Sequence, residues 1–290
     1  MKQVNWQEVL IRCSCIGKIM TEGKGTVLTD KQAEYLDKLL SKGEDALTDK
    51  QKKDMADLIA KRDSPPALSD TCTSYLREVY QYYRYGKESI GGAQRSLYVQ
   101  KGNAMEHESI MLISRFFGFP FEKNKERKNG THLTGECDIA WEDKKTIIDA
   151  KSAWDMESLL SHLPNPDKPS NSYLYDPGYE WQGQGYMSLW GYDTFILSYV
   201  LVNMPPEMIN WEKEKIHRSL NPATDEDPEY VRQVEKLEHS CTFDEIPIQE
   251  RIIPFTFERD EEKIRKINAR VEDCRIWLEK FEKMHINLHI

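Results

Sequence analysis

The sequence has no apolar run approaching the ~20 residues that a helix needs to cross a bilayer. Its opening stretch, MKQVNWQEVLIRCSC, lacks the apolar core of a secretion signal, so the expected location is the cytoplasm, with no membrane contact. Cysteine is sparse and scattered, with six residues at 13, 15, 72, 137, 241 and 274. Cys13 and Cys15 stand one residue apart, which suits neither zinc nor iron–sulfur sites, and free thiols are expected in a reducing compartment. Basic excess is missing too. The chain of 290 residues carries 40 Lys and Arg against 49 Asp and Glu, a net charge of −9. Taken alone, that balance argues against a nucleic-acid partner, although local patches matter more than the sum.

What is present is a globular composition, 39% hydrophobic and 31% charged, in a chain long enough for a sizeable core. LTDKQAEYLDKLL from Leu28 and LTDKQKKDMADLI from Leu47 form an internal repeat offset by 19 residues. Each opens with Thr-x-x-Gln, a capping box that satisfies free amides at a helix start. Two copies are too few for a solenoid, so residues 28–62 are expected to form a helical hairpin insertion. RDSPPALSD then breaks the chain, and a tyrosine-rich helix follows over Thr71–Tyr85. A long helix is expected over Gly102–Phe117, with Glu106, Ile110, Ile113 and Phe117 sharing one face and Glu108 off it. Two strands follow, Gly135–Trp141 and Thr146–Ser152, with a turn between them. TFILSYVLVN reads as a strand buried on both faces. Residues 206–245 form a charged, helical insertion, and residues 246–290 a terminal strand and amphipathic helix. This order predicts an α/β (α+β) fold: one domain over 1–290, a core at 100–205 and a mixed central sheet flanked by helices.

The stretch GECDIAWEDKKTIIDAKS, Gly135–Ser152, sets ionisable groups inside two adjacent strands. Asp149 and Lys151, at i and i+2, point one way, while Ile148 and Ala150 point to the opposite, core side. A turn at 142–145 brings Asp138 alongside Asp149. Two carboxylates so close repel unless a cation sits between them, and hard oxygen ligands suit Mg²⁺. Glu106 is a natural third carboxylate. A lysine beside a metal-bound water can orient the nucleophile and stabilise negative charge developing on a phosphate. A buried Asp–Lys ion pair would explain the strand equally well. The basic islands FEKNKERKNGTH (Phe121–His132) and EDKKT (Glu142–Thr146) flank this stretch. They suit either a polyanion or plain solvated loops.

Order and spacing narrow the choice. Gly102-x-x-x-Glu106, then Asp138, then Asp149-Ala-Lys151, then Gln182-Gly-Gln-Gly-Tyr186 resembles the PD-(D/E)XK nuclease superfamily. More narrowly it looks like the phage recombination exonucleases of the lambda exonuclease and YqaJ type, which share features with the RecB nuclease domain. Asp149 stands where lambda-type enzymes often carry Glu. RCSCIGKIMT, Arg12–Thr21, looks like the segment that opens those exonucleases and holds a DNA 5′ phosphate.

The resemblance implies a restriction-endonuclease-like core. It implies Glu106, Asp138, Asp149 and Lys151 as catalytic groups, and Glu106, Asp138, Asp149 and Ala150 as the metal set for Mg²⁺, with Mn²⁺ able to substitute. Arg12, Ser14, Gln182 and Tyr186 would contact DNA. The implied activity is a 5′–3′ exonuclease on linear double-stranded ends in phage-type recombination, in the host cytoplasm if the chain is phage-encoded. A single-strand annealing protein is an implied partner and a ring trimer an implied assembly, although no ring interface can be read from the residues. An endonuclease of the same fold, of restriction or repair type, and a non-catalytic DNA-binding or assembly protein are the alternatives.

Overall fold

A computed structural model describes residues 3–23, 28, 30–42, 47–63, 68–88, 96–167 and 174–287. In chain order the helices are α1 (Ile16–Met20), α2 (Asp30–Leu40), α3 (Asp49–Asp63), α4 (Asp70–Tyr85), α5 (Leu97–Ala104) and α6 (Glu106–Phe117). They continue with α7 (Met156–Leu160), α8 (Pro177–Trp190), α9 (Pro206–Leu220), α10 (Pro228–Cys241) and α11 (Glu261–Asn287). The strands are β1 (Ile11–Arg12), β2 (Lys128–Asn129), β3 (Leu133–Gly135), β4 (Ile139–Trp141), β5 (Thr146–Ser152), β6 (Thr194–Val200) and β7 (Ile252–Glu258). The fold is mixed α/β with helix-flanked sheets, as the order of elements in the sequence predicts.

The chain divides into two compact units. The first comprises Met1–Val9, Gly17–Glu88 and Asn268–Ile290. It holds the helical hairpin, in which Lys61 Nζ of α3 donates to Gln32 Oε1 of α2 at 2.8 Å. The capping box of α3 is formed: Gln51 N–H donates to Thr48 Oγ1 at 3.3 Å, and Thr48 N–H to Gln51 Oε1 at 3.1 Å. Thr29, the matching cap of α2, lies outside the described residues. Helix α4 is capped by Ser69, whose hydroxyl accepts the Cys72 N–H at 3.1 Å, and stops at Gly86 in the left-handed region, φ 63°. Tyr80 of α4 stacks on Trp6 and meets Phe281 of α11 edge-on, with centroids 5.2 and 5.0 Å apart.

The second unit, Leu10–Ile16 and Ser89–Ile267, carries both sheets. The larger runs β4-β5-β6-β7, antiparallel, parallel and antiparallel in turn. The parallel β5–β6 pair needs a crossover, which α8 supplies. β6 sits second from the edge and is buried from Phe195 to Val200, as its unbroken apolar run predicts. Ile110 and Ile113 of α6 pack on Ile139, Ile148, Val200 and Ile252 across one face of the sheet. Helix α8 packs on the other face. The smaller sheet has the order β1-β3-β2.

Two boundaries differ from the sequence reading. The long helix expected over 102–117 breaks at Met105 (φ −105°, ψ 15°) into α5 and α6. The halves are anchored differently. Lys101 Nζ of α5 donates to the carbonyls of Ala153 and Trp154 at 2.8 and 2.7 Å, whereas α6 follows its apolar stripe on the sheet. The strand expected over 135–141 is two strands in two sheets, β3 and β4, and Asp138 lies in the link between them.

Candidate active site

The register pairs Ile139 with Ile148, so Asp138, one residue before β4, falls beside Asp149. Asp138 Oδ2 accepts the Ala150 N–H at 2.8 Å, which ties the link to β5. Asp149 is 2% exposed. Its Oδ1 accepts from Gln182 Nε2 at 3.0 Å. Its Oδ2 is met by the Lys151 ammonium, Nζ at 2.5 Å.

The electrostatics follow from burial. Desolvation first, and then the charge of Asp149, push the Asp138 carboxyl up to about 7, with Lys151 opposing. For Lys151, burial lowers the pKa, but the charges of Asp149 and Asp138 outweigh it and hold the ammonium above its ordinary value. The structure therefore brings Asp138, Asp149 and Lys151 together. Glu106 opens α6 nearby and accepts from Lys123 Nζ at Oε2. Among the described residues no three His, Cys, Asp or Glu side chains converge as a metal-binding group.

The donor set nonetheless fits one hard divalent cation. Asp149 Oδ2 is a buried oxygen met by the Lys151 ammonium, and two desolvated carboxylates stand side by side with that ammonium to offset them. Ala150 can offer only its main-chain carbonyl. Glu106 could join the set by releasing Lys123.

Gln182 and Tyr186 lie on one face of α8, and that face points inward. Both are 4% exposed. Gln182 Nε2 also lies 3.4 Å from the Tyr186 hydroxyl, which donates to the Glu136 carbonyl at 3.1 Å. Burial pushes the Tyr186 pKa far above its ordinary value. The polar ends of this motif thus meet Asp149 and the β3–β4 link rather than the protein surface.

The glycines between them explain how α8 comes so close. A Cβ at Gly183 would stand 2.1 Å from Phe195 Cδ1 of β6, and one at Gly185 2.2 Å from Ile16 Cδ1. At Gly135 a Cβ would meet Cys13 Sγ and Tyr186 Cε1, each at 2.9 Å. Sequence reasoning took the Gln-x-x-x-Tyr spacing and passed over these glycines, although the repeated Gly inside a helix was the available signal. It also passed over Tyr179, whose ring centroid lies 4.9 Å from Lys151 Nζ.

Arg12 and Ser14 sit where β1 joins a short 3-10 turn, Cys13–Cys15. Arg12 pairs in parallel register with Thr134. Both side chains are exposed, while Cys13 between them is fully buried against Gly135 and Gly185. The segment is thereby fixed to the sheet that precedes Asp138. In the basic island, Lys123 pairs with Glu106, Arg127 with Glu136 at 3.1 Å, and Lys128 lies over the Trp190 ring at 5.2 Å. Much of its charge is therefore engaged locally.

No family model matches the sequence, and no curated protein does. Solved structures do. A phage-related exonuclease from Haemophilus somnus 129PT is similar over 96% of this chain and 97% of its own, with 26% identity and a TM-score of 0.60. An alkaline exonuclease from Laribacter hongkongensis shares the fold over 98% of both chains, with 12% identity and a TM-score of 0.51. The fold agrees with the nuclease resemblance read from the motifs: the chain is similar along nearly its whole length to a phage-related exonuclease, and it shares its fold with an alkaline exonuclease. Among the described residues no helix is long and apolar enough to cross a membrane.

Proposed function

We propose that this protein is a Mg²⁺-dependent deoxyribonuclease, a 5′–3′ exonuclease that degrades linear double-stranded DNA from its ends in phage-type recombination. The observation that carries the reading is the meeting of Asp138, in the link before β4, with Asp149 and Lys151 of β5, in a chain whose fold matches a phage-related exonuclease. A divalent cation held by Asp138, Asp149 and the Ala150 carbonyl, with Glu106 as a further ligand, would lower the pKa of a bound water and so supply hydroxide near neutral pH.

The chain's own groups do the rest. The Ala150 N–H and the Gln182 amide hold the two carboxylates in fixed orientation, so little reorganisation is needed on binding. Lys151 presents a permanent ammonium on the same strand face as Asp149. It can orient the attacking water and offset charge on the phosphate oxygens. Arg12 and Ser14 are the candidates for gripping a terminal 5′ phosphate, bidentately by the guanidinium and with one bond from the hydroxyl. Double-stranded DNA is the proposed partner, and a single-strand annealing protein and a ring trimer accompany the same reading.

The test is a time course with Mg²⁺ on end-labelled linear duplex beside closed-circular DNA. Release of label from linear DNA alone supports the exonuclease. Nicking of the closed circle would favour an endonuclease, and no cleavage of either would overturn the enzyme reading.

A further inference from the structure

We propose that the ring face of Tyr179 is the cradle that keeps the Lys151 ammonium in its working position. The role is a positioning one, and it rests on the nuclease reading above. Tyr179, Gln182 and Tyr186 stand at i, i+3 and i+7 of α8 and share its inward face. Gln182 reaches Asp149, and Tyr186 reaches the β3–β4 link. Tyr179, one turn earlier, delivers its ring to the next charged group along β5, with Lys151 Nζ 4.9 Å from the centroid.

The ring is itself held. Tyr199 is the register partner of Lys151 on β6 and meets Tyr179 edge-on, with centroids 6.5 Å apart at 72°. Tyr199 is 6% exposed, and His162 stacks on it at 3.4 Å and 17°. The Tyr179 ring that faces Lys151 is therefore backed by Tyr199, and Tyr199 in turn by His162.

Lys151 is also drawn to Asp149 Oδ2, with which it makes direct contact, and to the charge of Asp138. That oxygen is also a proposed cation ligand, and a carboxylate shared with a divalent ion draws less on a neighbouring ammonium. A lysine stem has four flexible carbons and many rotamers to lose. The negative face of an aromatic ring remains attractive whatever happens at Asp149, and in a desolvated site that attraction is significant. Only the ring's electron density is needed for this, so the hydroxyl is dispensable.

The experiment replaces Tyr179 in the full chain with phenylalanine and then with phenylalanines carrying one, two and three ring fluorines. Volume is nearly kept while ring charge is withdrawn stepwise. Tyr179→Phe should keep kcat within about twofold, and the fluorinated series should fall steadily to about a tenth, with KM little changed. A flat series, or a loss already complete in Tyr179→Phe, would overturn the proposal. A second readout does not depend on cleavage. In metal-free protein carrying ¹³C-labelled lysine, the Lys151 ε-methylene protons should resonate upfield in wild type and Tyr179→Phe, and return to the ordinary position in Tyr179→Met. A resonance unmoved in Tyr179→Met overturns the contact. If the wild type cleaves no DNA, the nuclease reading fails while the spectrum still decides the contact.

Discussion

Gln182 and Asp149 are 33 residues apart in sequence and 3.0 Å apart in space, the buried amide donating to carboxylate Oδ1. Gln182→Ala would leave that oxygen buried without a partner, at a cost of about 1–3 kcal/mol. Cleavage should fall by more than about tenfold, the scale for removing a group that orients a ligand. Affinity for duplex DNA should change little. Urea unfolding, a cleavage rate and a DNA-binding isotherm check this together. Weakened DNA binding at unchanged stability would instead make Gln182 a direct DNA contact.

Lys151→Ala and Asp149→Asn separate charge from structure. Lys151→Ala should slow cleavage at least about a hundredfold, the scale of losing one electrostatic stabiliser. In the metal-free protein it should also lower the melting temperature, because it strips the ammonium from a buried carboxylate. Asp149→Asn should weaken Mg²⁺ binding in calorimetry and abolish cleavage. Unaltered metal binding in that variant would refute the assignment of the site.

Gly183→Ala tests the packing that lets α8 approach the sheet. The added methyl would overlap Phe195 of β6, so helix or ring must shift. Overpacking of this kind costs about 1–3 kcal/mol. It would also lift Gln182 from Asp149, so activity should fall together with stability. Phe195→Val in the same chain removes the clashing ring and should recover part of both. Independent, additive losses in the double variant would rule out this coupling.

How much of this was legible in the sequence depends on the kind of information each feature needs. β5 and the facing of Asp138 and Asp149 were legible, because strand alternation and a short turn are local properties. The start of α3 was legible from its capping box at Thr48 and Gln51. The break at Met105 was not, since Met is a good helix former, and the anchoring of α5 through Lys101 to the Ala153 and Trp154 carbonyls, some 50 residues away, leaves no local signal. Helical spacing put Gln182 and Tyr186 on one face but could not say which way that face turned. That depended on Gly183 meeting Phe195. The pairing of Glu106 with Lys123 crosses from a helix to a loop, for which the sequence carries no periodic signal.

Lys101 gives a prediction in pH. It is 1% exposed, and burial lowers its pKa from 10.5 to about 8 against the raising influence of Cys241 and Asp155. Below pH 8 the ammonium is charged in both folded and unfolded chains, and the burial cost is constant. Between about pH 8 and 10.5 the folded state alone is neutral, so the Lys101 contribution to stability rises with pH. Relative to Lys101→Met, the wild type should therefore gain about 1–2 kcal/mol between pH 7.5 and 9.5 in urea unfolding. A difference that stays constant with pH, or shrinks, contradicts the lowered pKa.

Arg12 supplies the prediction that separates end-directed from internal cleavage. Its side chain is exposed on β1, and the buried Cys13 beside it anchors the segment to Gly135 and Gly185. A guanidinium held on such a frame can grip a terminal phosphate bidentately, and the Ser14 hydroxyl can add one bond. Wild type should therefore degrade a 5′-phosphorylated linear duplex faster than its 5′-hydroxyl counterpart. Arg12→Ala should lose most of that preference, at a cost of roughly 1.5–3 kcal/mol for a hydrogen bond to a charged group. Its rate on the 5′-hydroxyl duplex should stay near that of the wild type, because Asp138, Asp149 and Lys151 are untouched. Arg12→Lys should recover little, since a point charge lacks the planar fork. Equal rates on both ends by the wild type would remove the phosphate pocket and shift the balance toward an endonuclease built on the same carboxylates.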